Sequence, residues 1–208
     1  MKWMSLILAI ALSGTVHASD DARPTSPLRM DRAAQMPALR DELLAMMAVD
    51  QAARNALIAS DFQDETALLA MRDIDRRNTT RMKAIVAATG WPTRTQVGNP
   101  AARAAWLLVQ HADADPAFQA DCLERMEPLV AAGEASGEDF AYLTDRVLVN
   151  AGKRQRYGTQ MEQVDGTFQP KPVDEPEALD ARRAEVGLPS MDVYRKLMAE
   201  IYLKPRAE

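Results

Sequence analysis

Helical periodicity, punctuated by proline starts and glycine stops, runs through most of this chain and constrains its fold more than any other feature. Pro37 suits a first helical turn, and Leu39, Leu43, Met46, Met47 and Ala53 follow it at helical spacings. A second periodic stretch, from about Asp64 to Ala88, stops at Gly90-Trp91-Pro92. Asn99-Pro100 and Asp115-Pro116 each read as a capping residue followed by a first-turn proline. The helix after Asn99 runs through Trp106, Leu107 and Leu108 to His111. The helix after Asp115 carries Phe118, Cys122, Met126, Leu129 and Val130 on one face and ends near Gly133. Ser136 to Ala151 predicts another helix, with Phe140, Leu143 and Val147 inward and Gly152 as its stop.

The pattern then changes once. Arg156–Val164 and Thr167–Pro170 read as extended runs flanking Asp165-Gly166, a strong hairpin signal, and Pro170 and Pro172 end the hairpin. A lone hairpin is not stable in water, so it must pack on helices. Two short helices follow, about Glu175–Val186 and Ser190–Tyr202. The expected fold is all-α in the main: a helical bundle with one small β-hairpin insertion and no internal repeat of fixed period.

Composition narrows the class. The chain has 208 residues, 47% hydrophobic and 26% charged, with formal charge -5 and one cysteine. That suffices for one domain with a real core. A single cysteine excludes an internal disulfide framework and a cysteine-based zinc cage. The acidic balance and 5% aromatic content argue against nucleic-acid partners. No glycine-rich phosphate loop, serine elbow or paired-histidine metal motif is present, and the sequence implies no cofactor.

Residues 1–18 read as a signal peptide. Lys2 supplies the positive start, Trp3–Leu12 an apolar run too short to span a bilayer comfortably, and Val16-His17-Ala18 a small-residue cleavage site after Ala18. The expected destination is the periplasm or the medium. Residues 19–36 are polar, carry two prolines and read as a flexible leader; 37–208 form a single mostly helical domain. No further apolar segment approaches membrane length, so no membrane contact is expected after cleavage. Cleavage removes His17 and leaves His111 as the one histidine.

His111 follows Leu107 and Leu108 by a turn, on the apolar side of its helix, and is either a general acid/base or a core histidine held by one hydrogen bond. His111-Ala112-Asp113-Ala114-Asp115 has poor spacing for a metal, and Asp115 is explained as a helix cap, so no metal ligands are assigned. Gly152–Gln160 is unusual: three cations, two amides, a phenol and a hydroxyl at a helix end entering the hairpin. Alternation would send Gln155, Tyr157 and Thr159 to one face and Arg156, Gly158 and Gln160 to the other. Such a strand either faces a ligand or is a solvated edge. Arg146 flanks the Leu143/Val147 stripe and either pairs with a carboxylate or faces an anion. Arg72, Arg76, Arg77, Arg81 and Lys83, interrupted by Asp73 and Asp75, read as a solvated helix face with i,i+4 pairs. Cys122 reads as a small core residue.

The ordered combination of Gly90-Trp91-Pro92, Gln110-His111-Ala112-Asp113, Asp145-Arg146 and Gln155–Gln160 resembles a bacterial family of uncharacterised proteins, a domain of unknown function with a GWP…QHAD…DR…GQxYGTQ pattern. The resemblance covers roughly Asp64 to Tyr202. It implies a shared site at Trp91, His111, Asp113, Asp145, Arg146, Gln155, Tyr157, Gly158, Thr159 and Gln160, with Asn78 in the helix before GWP, and it implies no chemistry.

Three readings follow. In the first, an exported hydrolase or lyase uses His111 as general acid/base, Arg146 for an anionic group, and Tyr157 and Gln160 as hydrogen-bonding groups, with Asn78, Trp91, Asp113, Asp145, Gln155, Gly158 and Thr159 binding the ligand. In the second, the same residues make a non-catalytic module for a small polar or anionic ligand or a peptide. In the third, they are a structural network that locks the hairpin to the bundle. Oligomeric state is not legible.

Overall fold

The computed structural model describes residues 34–165 and 167–202. The expected signal peptide and most of the expected leader lie outside the described residues. Among the described residues, eight α-helices, one short 3-10 turn and one two-stranded sheet follow in order. They are α1 (Pro37–Ala59), α2 (Glu65–Thr89), α3 (Arg94–Val97), α4 (Asn99–Gln110), α5 (Pro116–Ala131), α6 (Gly137–Asn150), β1 (Met161–Val164), β2 (Thr167–Pro170), the turn Pro176–Ala178, α7 (Leu179–Glu185) and α8 (Met191–Tyr202). The fold is mainly α with one small hairpin.

The caps explain most boundaries. Asp64 accepts hydrogen bonds from the backbone N–H groups of Thr66 (2.8 Å) and Ala67 (3.1 Å) and opens α2. Thr93 and Gln96 form a capping box around α3, a four-residue helix that apolar periodicity is too short to reveal. Asp115 accepts from Phe118 N–H and opens α5. At α4 the start differs from expectation. Gly98, with φ +80°, is the residue outside the helix, and Asn99 and Pro100 occupy its first turn without a side-chain cap.

Helix α4 is the axis of the bundle. Its residues 101 and 102 and 104–110 are all buried, and it packs against α1, α2, α3, α5 and α6. A helix buried along its length past Pro100 except at Arg103 belongs in the middle of a core. Four alanines on it, Ala101, Ala102, Ala104 and Ala105, let the neighbouring helices approach closely. Leu43 of α1, Met82 of α2, Met126 of α5 and Leu143 of α6 close around it. A second apolar cluster joins Val173, Leu179, Met191, Tyr194 and Met198, with Met161 and Phe168 of the hairpin packed on it. The hairpin is therefore held against α8, as a two-stranded ribbon requires. Trp106, Tyr142 and Tyr194 link the two cores edge to face, with centroids 6.1 and 6.4 Å apart.

The hairpin register is Val164 opposite Thr167 and Met161 opposite Pro170, which leaves a two-residue connection at the Asp165-Gly166 site. Asp165 takes φ +49°, as the first position of such a tight loop demands. The first strand is shorter than the expected run from Arg156. Residues 156–160 form a loop, because their N–H groups are drawn onto Asp145 rather than into a ladder and Gly158 turns to φ +66°. The expected alternation fails with it: Arg156 is exposed, whereas Gln155, Tyr157, Gly158, Thr159 and Gln160 are all buried.

Candidate functional site

The α4 axis ends at His111, and the chain turns there toward α5. Helices α1, α2 and α6 each direct charged side chains at this point. His111 Nδ1 lies 3.0 Å from both carboxylate oxygens of Asp50 on α1. Arg54, one turn further along α1, places Nε 2.9 Å from the same Nδ1 and 3.3 Å from Asp50 Oδ2. Its Nη2 donates to Asp75 of α2 at 2.6 Å. Nδ1 cannot both donate to Asp50 and accept from Arg54. A bare Nδ1 lone pair facing two carboxylate oxygens would be repulsive, so the proton belongs on Nδ1 and the Arg54 Nε–H on Asp50. Gln51 Nε2 also donates to Asp50 Oδ2, at 2.8 Å. With Nδ1 protonated, the ring lone pair sits on Nε2, which is buried and has no hydrogen-bond partner among the described residues.

Arg146 of α6 completes the assembly. It is 1% exposed and forks onto Asp113, with Nε 2.7 Å from Oδ1 and Nη2 2.6 Å from Oδ2. Its Nη1 reaches Gln160 Oε1 at 3.5 Å, and Gln119 Nε2 supports Asp113 at 3.3 Å. Exposure divides the cluster into a floor and a rim. Asp50, His111 and Arg146 are buried, whereas the side chains of Arg54, Asp75 and Asp113 are 17, 21 and 49% exposed.

The environment reverses the usual order of the proton affinities of His111 and Asp75. Burial lowers His111 to about 4, against the pull of Asp50, so the imidazole is neutral at physiological pH. Burial raises Asp75 to about 6, aided by the Asp50 and Asp113 carboxylates and opposed by Arg54. Burial works against the charge on Asp50, but the His111 N–H and the Arg54 guanidinium hold it below the usual carboxylate range. Asp113 is likewise held low, by Arg146 against burial. Asp50, Asp75 and His111 place one donor atom each within 4.8 Å of one another, a spacing that fits a cation. The cation there is the Arg54 guanidinium, which bonds Asp50 and Asp75 and abuts the ring nitrogen. The donor set therefore does not present itself as a metal site.

Ten of the eleven expected site residues separate into three places, and Asn78 stands apart. His111, Asp113, Arg146 and Gln160 come together as described. Asp145, Gln155, Tyr157, Gly158 and Thr159 instead build a closed lock under the hairpin. Asp145 accepts the backbone N–H groups of Arg156 (2.7 Å), Tyr157 (2.9 Å) and Thr159 (2.8 Å). Gln155 donates to the carbonyls of Gln160 (3.0 Å) and Lys171 (2.8 Å) and accepts from Gln160 N–H (2.7 Å). Arg183 donates to the carbonyls of Tyr157 and Pro189, each at 2.6 Å, and Tyr194 O–H to that of Thr159 at 3.0 Å. A Cβ at Gly158 would stand 3.3 Å from Met191 Sδ. Trp91 goes to a third place, a cleft beside Trp106. Asn78 lies one turn beyond Asp75, buried, with Nδ2 unpartnered among the described residues.

A family model for a family of unknown function, DUF6624, matches residues 37–205. The chain belongs to DUF6624. No curated protein and no solved structure matches it. The DUF6624 match spans every residue of the His111 cluster and of the hairpin lock. Among the described residues, no helix is long and apolar enough to cross a membrane.

Sequence reasoning missed Asp50, Arg54 and Asp75. A signal was present: Asp50 continues the buried stripe Leu39, Leu43, Leu57 of α1 at helical spacing, and Asp75 continues Asn78, Met82, Ile85 on α2. A carboxylate on an apolar stripe is a buried charge in search of a partner.

Proposed function

We propose that this DUF6624 member is an exported acid–base enzyme of the hydrolase or lyase type, with its reaction centre at His111. The carrying observation is the imidazole pinned through Nδ1 by Asp50, its Nε2 buried without a partner, beside an Asp75 whose proton affinity is raised. Two titratable groups whose surroundings reverse their usual order of affinity, His111 to about 4 and Asp75 to about 6, supply a base and an acid at one pH. Asp50 fixes the tautomer, so Nε2 offers a lone pair to a substrate O–H or N–H. Asp75, close to neutral affinity, exchanges protons with a leaving group or with water at the rim. Arg54 and Arg146 offset and hold the Asp50, Asp75 and Asp113 carboxylates around the ring.

Three carboxylates face two guanidiniums here. No cation is left over for an anionic ligand, which narrows the substrate to an uncharged polar molecule. Nε2 has no contact with solvent, so the substrate enters by displacing rim side chains. Export rests on Lys2, the Trp3–Leu12 apolar run and the small-residue site at Ala18, with a destination in the periplasm or the medium.

The test compares wild type with His111→Gln and Asp75→Asn by untargeted mass spectrometry of a polar metabolite extract from the source cells. The expected result is a metabolite consumed by wild type and consumed on the order of 100-fold more slowly by each variant, both variants still folded. Equal consumption by the variants, or no metabolite changed by wild type, overturns the reading.

A further inference from the structure

A cleft of about 270 Å³ opens where α3, the start of α4 and the N-terminus of α6 meet, and it shares no lining residue with the His111 cluster. Trp91, Trp106 and Met126 give it apolar walls, and Arg94, Arg103 and Asp139 are its charged groups. Two of these are matched to each other. Arg103 Nη1 lies 2.9 Å from Asp139 Oδ1, and the guanidinium sits 5.2 Å over the Trp106 ring. That arrangement neutralises Asp139 and uses the Trp106 face, so the cleft has nothing left for a cationic ligand. Arg103 remains 44% exposed, with its outer N–H groups toward solvent.

Arg94 is different. Its Nη1 donates to the Gly133 carbonyl at 3.2 Å, it makes no ion pair among the described residues, and it acts on Asp139 only through space. The cleft thus holds one guanidinium more than its carboxylate neutralises, next to an apolar floor. A guanidinium beside indole and thioether surface favours a ligand with a flat apolar body and one carboxylate, since the fork matches carboxylate geometry. The volume lies just below the about 300–1,000 Å³ of sites for drug-sized ligands, which points to a single ring. From this geometry we infer that the cleft is a binding site for a small aromatic carboxylate, its ring against Trp91 and Met126 and its carboxylate on Arg94 and the outer N–H groups of Arg103. The site stands independently of the chemistry at His111.

The test titrates the full chain with phenylacetate, with phenethylamine and benzyl alcohol as cationic and neutral counterparts. Binding is read by calorimetry and by the indole Nε1–H NMR signals. Phenylacetate is expected to bind saturably and to shift the Trp91 and Trp106 signals. Arg94→Gln is expected to weaken it tenfold or more, and both counterparts to bind at least tenfold more weakly than phenylacetate. Ala102→Leu, which fills the cleft, removes binding, and His111→Gln leaves it intact. Arg94 is half-buried and its side chain makes a single hydrogen bond, to the Gly133 carbonyl, so its variant folds even if the filled cleft does not. Absence of saturable phenylacetate binding up to about 10 mM, a weakness beyond about -3 kcal/mol, overturns the inference. So does an Arg94→Gln variant that binds like wild type, or phenethylamine binding as tightly as phenylacetate.

Discussion

Gln160 joins two buried polar assemblies that differ in how completely their atoms are matched. On the hairpin side, both oxygens of Asp145 and both ends of the Gln155 amide are taken up by the loop. Only Arg183 Nη2 is left over in that lock. On the bundle side, His111 Nε2 has no partner among the described residues, nor do Asn78 Nδ2 and Gln110 Oε1, along α2 and beside it in sequence. A matched network recovers the cost of burying polar groups; an unmatched one stores part of that cost. The lock is therefore architecture, whereas the His111 cluster retains features that folding alone does not require. The residues of the expected YGTQ strand carry the hairpin, and the partners of His111 lie on α1 and α2.

The sharpest way to break this contrast is Asp145→Ala. It strips the acceptor from three backbone N–H groups, two of them on buried residues, in a loop that has no other partners for them. At about 1–3 kcal/mol for each buried donor left unmatched, the loss should be on the order of 3–5 kcal/mol. Urea denaturation gives the magnitude, and amide exchange should show residues 155–160 opening first. A loss below about 1 kcal/mol would remove the lock from the account.

The next test acts on the cluster and uses pH. His111 falls from 6.5 to about 4 on folding. Its contribution to stability is complete above pH 6.5 and is lost as pH falls through 4. Asp75 rises from 3.8 to about 6. Its contribution is complete below 3.8 and is lost as pH rises through 6. The two slopes oppose each other over the same window, each spanning roughly 3 kcal/mol. In the wild type they largely cancel. His111→Gln should therefore expose a stability that falls from pH 4 to 6, and Asp75→Asn one that rises. Asp139, raised by burial to about 7, adds a falling slope common to all three proteins, so the comparison is of differences between them. Parallel pH profiles for both variants and wild type would show that the cluster does not hold its protons in this way.

These two tests also mark what the sequence made legible. Helices, hairpin and the inward place of His111 followed from periodicity, caps and Asp165-Gly166, because such signals are local. The partners of His111 did not, because Asp50 and Arg54 are spaced i,i+4 and look like an ordinary surface pair, and Asp75 sits inside a basic run. The stripe positions of Asp50 and Asp75 signal burial, but only the three-dimensional crossing of α1 and α2 at the end of α4 shows that these acids meet His111. The loop at 156–160 was misread as strand for a related reason: Asp145, eleven residues upstream of Arg156, competes for its N–H groups.

A smaller effect is expected at Gly158. Alanine there must adopt φ +66° and bring its Cβ to 3.3 Å from Met191 Sδ and 3.5 Å from Leu179 Cδ2. The left-handed backbone costs roughly 1–2 kcal/mol, and the flexible methionine absorbs part of the contact. Thermal denaturation of Gly158→Ala should show this loss, and any activity assigned to His111 should survive it at temperatures where the variant is folded. Loss of activity without loss of stability would place the loop in the site after all.

The smallest effect separates the two faces of one helix. On α2, Asp75 faces Arg54 and the cluster, while Asp73 faces outward and pairs with Arg76 and Arg77, whose side chains are 76 and 67% exposed. An exposed i,i+3 pair contributes little, since water and salt screen it and both side chains lose freedom in forming it. Arg76→Ala should change stability by at most about 0.5 kcal/mol, and that difference should shrink in 0.5 M salt. Arg54→Ala, by contrast, leaves buried Asp50 without its guanidinium and should cost several times as much at either salt concentration. Equal effects of the two arginines would mean that the inner face of α2 is no more committed than the outer, and the charged cluster would then be an ordinary surface network that happens to lie partly under cover.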